Sequence, residues 1–170
     1  IKVWNLYIED CRRLPELYVE WAKSAGVSVI DLKGYTVNNI GRCPFSYIGN
    51  GIISGSIACE NDLTLDNVKG NPSVYAYTSG VDLTVKNSTV SLYVGGPQFN
   101  SVTSVNSDVG VDNSVFIDTT SCAVNVKGGS FTGTLKCPGW NSNSGTSSRG
   151  KVVSFMDCSV TIGMQSWFDN

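Results

Sequence analysis

The chain contains no histidine, so Ser-His-Asp and Cys-His arrangements are excluded and acid–base chemistry falls to carboxylates. Two aspartates stand at a suggestive spacing. Asp62 and Asp82 each directly precede an eight-residue segment rich in β-formers, LTLDNVKG and LTVKNSTV. If such segments stack as neighbouring parallel strands, equal positions lie about 4.8 Å apart. Two carboxylates one or two levels apart then meet the roughly 5 to 9.5 Å separation that glycoside hydrolysis requires. Asp66, Asp108, Asp112 and Asp118 are further candidates, and Glu60 lies close to Asp62. Starting a strand or capping a turn suits the same aspartates, and both readings stand.

A second group lies in CPGWNSNSGTSSRG, Cys137 to Gly150. Its Gly, Ser and Asn content reads as a surface loop, on which Trp140 could stack on a sugar ring with Asn141, Asn143 and Arg149 as hydrogen-bond partners. Folding of Trp140 onto the flank of the domain, or onto a neighbouring subunit, is the alternative.

The six cysteines, Cys11, Cys43, Cys59, Cys122, Cys137 and Cys158, include no C-x-x-C pair. Without histidine a structural zinc site would need four scattered thiolates, so neither metal nor cofactor is expected. Three disulfides are allowed by the even count, but buried free thiols acting as small hydrophobes fit this composition better. A net charge of −2, with no basic cluster longer than Arg12-Arg13, argues against nucleic acid as a partner. No run of about 18 apolar residues exists to insert into a membrane. A secretory signal pattern and an initiator Met are also lacking, which points to a piece of a longer chain.

What elements would position these groups? At 170 residues, with 15% charged and 18 Gly, the chain suits a single β-rich domain, 1–170, with many tight turns. Seven segments align: VSVIDLKG from Val27, FSYIGNGI from Phe45, LTLDNVKG from Leu63, LTVKNSTV from Leu83, VTSVNSDV from Val102, VNVKGGSF from Val124 and VSFMDCSV from Val153. Their starts are 18, 18, 20, 19, 22 and 29 residues apart. A period near 20 made of strands and turns marks a solenoid. Leucine-rich repeats share the period but demand more leucines; a non-repeating β-sandwich is the competitor.

Side chains alternate along a strand, so positions 1 and 3 predict two core columns: Val27, Phe45, Leu63, Leu83, Val102, Val124, Val153, and Val29, Tyr47, Leu65, Val85, Ser104, Val126, Phe155. Position 2 is small and polar throughout and should face out. Position 4 should also face out, yet holds Ile30, Ile48, Val105 and Met156; local loops or trimerisation would cover them. SVYAYT, SLYVG and SVFIDTT would form the other walls. PELYVEWAKSAG, Pro15 to Gly26, predicts one helix with Leu17, Trp21 and Ala25 as its apolar stripe, widened by Tyr18 and Ala22, placed to cap the first coil. The expected layout is 1–26 for the N-terminal segment and capping helix, 27–163 for the coils, 138–150 for the inserted loop and 164–170 for a tail.

The helix followed by VSVIDLKGYTV and YIGNGIISG resembles the start of the right-handed parallel β-helix in the pectin lyase-like superfamily, with bacteriophage tail spikes and tail-fibre receptor-binding proteins nearest in character. The resemblance spans about Pro15 to Val160. It implies a corner ladder of Asn or Gly between two sheets, matched here at position 5 by Asp31, Gly49, Asn67, Asn87, Asn106, Gly128 and Asp157, residue types that accept φ > 0 at least cost. It further implies a homotrimeric virion protein that recognises a bacterial surface polysaccharide during host attachment. A polysaccharide hydrolase or lyase on the same β-helix, and a ligand-free trimeric shaft or assembly domain, are the alternatives; a secreted bacterial protein is the alternative location. Ice binding would need a second Thr column that is absent.

Overall fold

In this computed structural model residues 14–93, 99–112, 116–137, 140–141, 146–147 and 150–166 are described. Leu14–Ser24 form helix α1, which ends where Gly26 turns to φ 70°, a conformation glycine accepts without a Cβ penalty. Val19 and Ala22 are its buried residues. Of the expected stripe only Ala22 is buried; Leu17, Tyr18, Trp21 and Ala25 are exposed, with Trp21 59% exposed and stacked on Tyr18 at 6.0 Å between centroids. Polar ties hold the helix to the first coil, Glu16 Oε1 accepting from Asn38 N at 3.3 Å and Lys23 Nζ donating to Ile40 O.

Among the described residues all remaining elements are strands: β1 (Val29–Asp31), β2 (Thr36–Asn38), β3 (Gly41–Cys43), β4 (Tyr47–Ser54), β5 (Ser56–Cys59), β6 (Leu63–Gly70), β7 (Ser73–Ala76), β8 (Asp82–Lys86), β9 (Thr89–Leu92), β10 (Ser101–Val111), β11 (Ile117–Asp118), β12 (Ala123–Cys137), β13 (Trp140–Asn141), β14 (Thr146–Ser147), β15 (Val153–Met156) and β16 (Ser159–Ser166). They wind into an all-β parallel solenoid. One wall stacks β1, β4, β6, β8, β10, β12 and β15 in that order. Another stacks β3, β5, β7 and β9, and β9 joins β10; further on, β10 and β12 continue to β16.

Seven strand starts do not make seven full coils. Paired residues along the first wall, Val29, Tyr47, Thr64, Thr84, Thr103 and Asn125, bound five regular intervals. The step on to Ser154 contains the insertion. The solenoid thus makes about five regular turns. Within the insertion Trp140–Asn141 pairs antiparallel with Thr146–Ser147.

From Leu63 onward the register matches the repeat alignment: Leu63, Leu83, Val102, Val124 and Val153 are direct neighbours. The first two copies are slipped by one residue, because Tyr47 pairs with Thr64 and Ile48 with Leu65. A one-residue slip moves every side chain to the other face. Ile30 and Ile48 are therefore in the core, while Val29 is 58% exposed and Tyr47 is half-buried. No external cover is needed for these two isoleucines; Met156 remains 52% exposed.

The corner moves in the same two coils, by one residue to Asn50 and by two to Lys33. Positive φ occurs at Asn67 (54°), Asn87 (49°), Asn106 (49°), Gly128 (73°) and Asp157 (50°), but in the first two coils at Lys33 (52°) and Asn50 (59°) rather than at Asp31 and Gly49. Just inside the corner Ser88 and Ser107 are buried and form a second ladder. Ser88 Oγ donates to Lys86 O at 2.6 Å and accepts from Val68 N at 2.9 Å; Ser107 Oγ donates to Val105 O at 2.9 Å and accepts from Ser88 N at 3.0 Å. In the next coil the place is taken by Gly129, where a Cβ would lie 2.1 Å from Ser107 O.

Cys43, Cys59 and Cys122 are buried free thiols, and Cys158 is half-buried and free. Burial pushes the Cys43 thiol up to about 11 and the Cys122 thiol up to about 12, and raises Cys59 as well. A protonated thiol is a poor nucleophile, so these three act as packing.

Candidate functional site

The structure brings Asp62 and Asp82 together, but as a strand-start cap. Asp62 Oδ1 accepts the backbone N–H of Asp82 at 2.8 Å. Asp82 Oδ1 in turn accepts from Ser101 Oγ at 2.7 Å and Asn100 Nδ2 at 2.8 Å. These hydrogen bonds, with the charge of Lys151, outweigh partial burial and hold the Asp82 carboxyl below the usual carboxylate range. A glycosidic general acid needs the opposite shift. The geometry therefore makes the pair a rung that joins three coils.

Other candidate carboxylates are similarly engaged. Asp66 accepts from Tyr47 Oη at 3.1 Å and Asn87 Nδ2 at 3.2 Å, and Asp108 accepts from Ser130 Oγ at 2.7 Å. Burial lifts Asp118, but hydrogen bonds from Thr120 and the Lys136 ammonium at 3.6 Å outweigh it and leave that carboxyl lowered. Glu60 is ion-paired with Arg42. Among the described residues no group of three or more Cys, Asp or Glu is placed to hold a metal ion, and no helix is long and apolar enough to cross a membrane.

Of the loop residues, Trp140 and Asn141 lie on β13, while Asn143 and Arg149 fall outside the described residues.

A different wall carries a shallow polar groove beside outward-facing tyrosines. Alternation along β7 and β9 buries Val74, Ala76 and Leu92 and turns Ser73, Tyr75, Ser91 and Tyr93 outward. Register places Ser73 beside Ser91, and Ser91 beside Gly110 of β10. A groove of about 350 Å³ runs here, lined by Asn71, Ser73, Ser91, Gly110 and Asp112 with parts of Leu92 and Val111. One step along the same strands Tyr75 and Tyr93 stand edge-to-face, their rings 6.5 Å apart and 86° between planes. Tyr77 continues the aromatic surface beneath the Arg42 guanidinium, 4.3 Å from its ring centroid. Tyr77 and Tyr93 are 47% and 43% exposed. The signal was present in SVYAYT and SLYVG, whose tyrosines fall on the face opposite their buried Val and Leu.

A larger cavity of about 620 Å³ lies where α1 overhangs the first coil, between Leu14, Pro15, Tyr18, Leu32 and Tyr35. Its nearest carboxylate, Asp31, already accepts from Lys33 N at 2.8 Å and Asn50 Nδ2 at 3.3 Å. It is an apolar seam between helix and coil with few polar groups aimed into it.

Compared with protein-family models, with curated proteins and with solved structures, the chain matches none.

Proposed function

We propose that this solenoid recognises a bacterial surface polysaccharide, in the manner of a phage tail spike or tail-fibre domain during host attachment. One observation carries the reading: tyrosines on the outward face of successive coils, Tyr93 exposed and Tyr75 half-buried, beside a groove lined with hydroxyl, amide and carboxylate groups. Tyrosine offers a sugar both an apolar face and a polar tip, and a few polar groups in a concave surface fix orientation. The finer assignment goes with it: a right-handed β-helix of the pectin lyase-like kind, homotrimeric, on the virion, or in the alternative on a secreted bacterial protein. Trp140 and Asn141 on their hairpin, with Asn143 and Arg149, form a second candidate contact.

A depolymerase, hydrolase or lyase, is the second reading. It has less behind it, since the expected acid and base hold the coils together through hydrogen bonds. Incubating the protein with capsule or O-antigen tests both. Binding that falls at least about tenfold in Tyr93→Ala, a loss within the usual range for an aromatic anchor, supports recognition; shortened oligosaccharides establish the enzyme instead. Binding unchanged in Tyr75→Ala and Tyr93→Ala but abolished in Trp140→Ala moves the site to the hairpin. Absence of any glycan binding leaves the trimeric shaft.

A further inference from the structure

We infer that Cys43 and Cys59 form a redox staple, a thiol pair placed to close a disulfide between the first two coils when a thiol oxidant reaches it. This is independent of the glycan reading. Register sets Cys43 of β3 directly against Cys59 of β5. Paired residues of adjacent strands lie about 4.8 Å apart, inside the roughly 4.4–6.8 Å between Cα atoms that a disulfide spans. Partners in a parallel pair send their side chains to the same face, and both thiols are buried in the core and free. Beyond Cys59 the column continues with buried Ala76, so the next coil sets only a methyl group against that sulfur. Among the described residues no other strand pairing sets cysteine against cysteine; Cys137, for example, faces Ser166.

Burial also decides when the pair reacts. A thiol pushed up to about 11, as Cys43 is, offers little thiolate. Closure therefore belongs to the open coil, either as the chain folds or as the end of the solenoid frays. At Cys43 the backbone of Phe45 and the Lys23 ammonium oppose burial, whereas at Cys59 burial and the charge of Cys43 both raise the thiol. Cys43 is thus the sulfur that ionises first as the coil loosens. With a small disulfide such as oxidised glutathione, the Cys43 thiolate attacks one sulfur, forms a mixed disulfide and expels one thiolate. The Cys59 thiolate then attacks the Cys43 sulfur, and the second small thiolate leaves. Two protein thiols are oxidised, one disulfide is reduced to two thiols, and the protons lost by the cysteines go to the departing thiolates. The bridge spans one coil, so it holds the helix-capped end of the solenoid closed in an oxidising medium and releases it in a reducing one.

The test refolds the whole chain from urea in mixed reduced and oxidised glutathione and, in parallel, in dithiothreitol. Free thiols are then blocked and the protein is digested with chymotrypsin, which cuts after Phe45 and Tyr47, between the two cysteines. The expected result is a linked Cys43 and Cys59 peptide pair that reduction splits, and a melting temperature roughly 5–10 °C above the reduced sample. Cys59→Ala, which repeats in β5 the residue that β7 carries at Ala76, should fold and lose the oxidant-dependent shift. Recovery of both cysteines as blocked free thiols from the oxidised sample overturns the inference, as does a bridge from either one to another cysteine. So does a linked pair with no rise in melting temperature, or a rise that survives in Cys59→Ala. Should Cys59→Ala not fold, the linked pair and the shift in the parent decide.

Discussion

Replacing Asn87 by Val tests the corner of the solenoid directly. Asn87 sits at φ 49°, in the left-handed region where an L-residue pays about 1–2 kcal/mol; Asn tolerates it far better than a β-branched residue does. Its Nδ2 also donates to Asp66 Oδ1 at 3.2 Å, an exposed bond worth about 0.5 kcal/mol at most. The substitution should therefore cost roughly 1.5–2.5 kcal/mol. In a domain of this size each kcal/mol lowers the melting temperature by about 2–4 °C, so a fall of roughly 3–10 °C is expected. Asn87→Gly separates the two causes, since it loses the amide but keeps access to positive φ, and it should stay within about 2 °C of the parent. Thermal unfolding of both variants by circular dichroism is the assay. An Asn87→Val protein that melts with the parent, or a Gly variant as damaged as the Val one, would refute the left-handed corner as the source of the Asn.

Ser88→Ala should cost about 1–3 kcal/mol in urea unfolding, because it strips the buried Val68 N–H of its acceptor; an unchanged midpoint would mean that the serine ladder carries no stability. Gly129→Ala should cost more than about 3 kcal/mol, since its Cβ would lie 2.1 Å from Ser107 O at a positive φ, and a near-native melting curve would contradict that close approach. Ser104 is buried with no partner for its Oγ among the described residues and lies between Val85 and Val126 in the core column. Ser104→Val should accordingly stabilise by about 1–2 kcal/mol, and a lowered melting temperature would count against it. Asp82 has a depressed native pKa, so its contribution is present above the ordinary value of about 3.9 and is lost as pH falls through the lowered one. Asp82→Asn should flatten the fall in melting temperature below about pH 4, and identical acid profiles would dismiss the linkage.

Where the sequence was legible, and where it was not, has a physical pattern. In LTLDN and LTVKN a single Asn follows four residues of clean alternation, so only one register buries the apolar set. In YIGNGI, Gly49 and Asn50 are both turn formers and Tyr47 and Ile48 are both apolar, so composition leaves the one-residue slip open. Asp31 and Lys33-Gly34 pose the same ambiguity, settled by contact with the next coil. For α1, Tyr and Trp weigh heavily in a hydrophobic stripe, yet the flat end of the first coil accepts only the smaller Val19 and Ala22. The serine ladder was readable in the repeated Asn-Ser of NST and NSD. The outward face of the tyrosines in SVYAYT and SLYVG was readable too, but their meeting edge-to-face was not, because it depends on which coils stand side by side.

The nearly even register of the regular turns, 18, 17, 20, 19 and 22 residues between partners, also bears on how the chain assembles. Loop closure entropy rises by only about 0.6 kcal/mol per doubling of length, so each coil is added to the last at almost the same entropic cost. Strand pairing links each coil to its immediate neighbours, and growth can proceed as a zipper from any formed pair. Amide exchange should then be slowest at β8 and β10 and quicken toward the terminal coils, a gradient of opening along the axis in place of one all-or-none event.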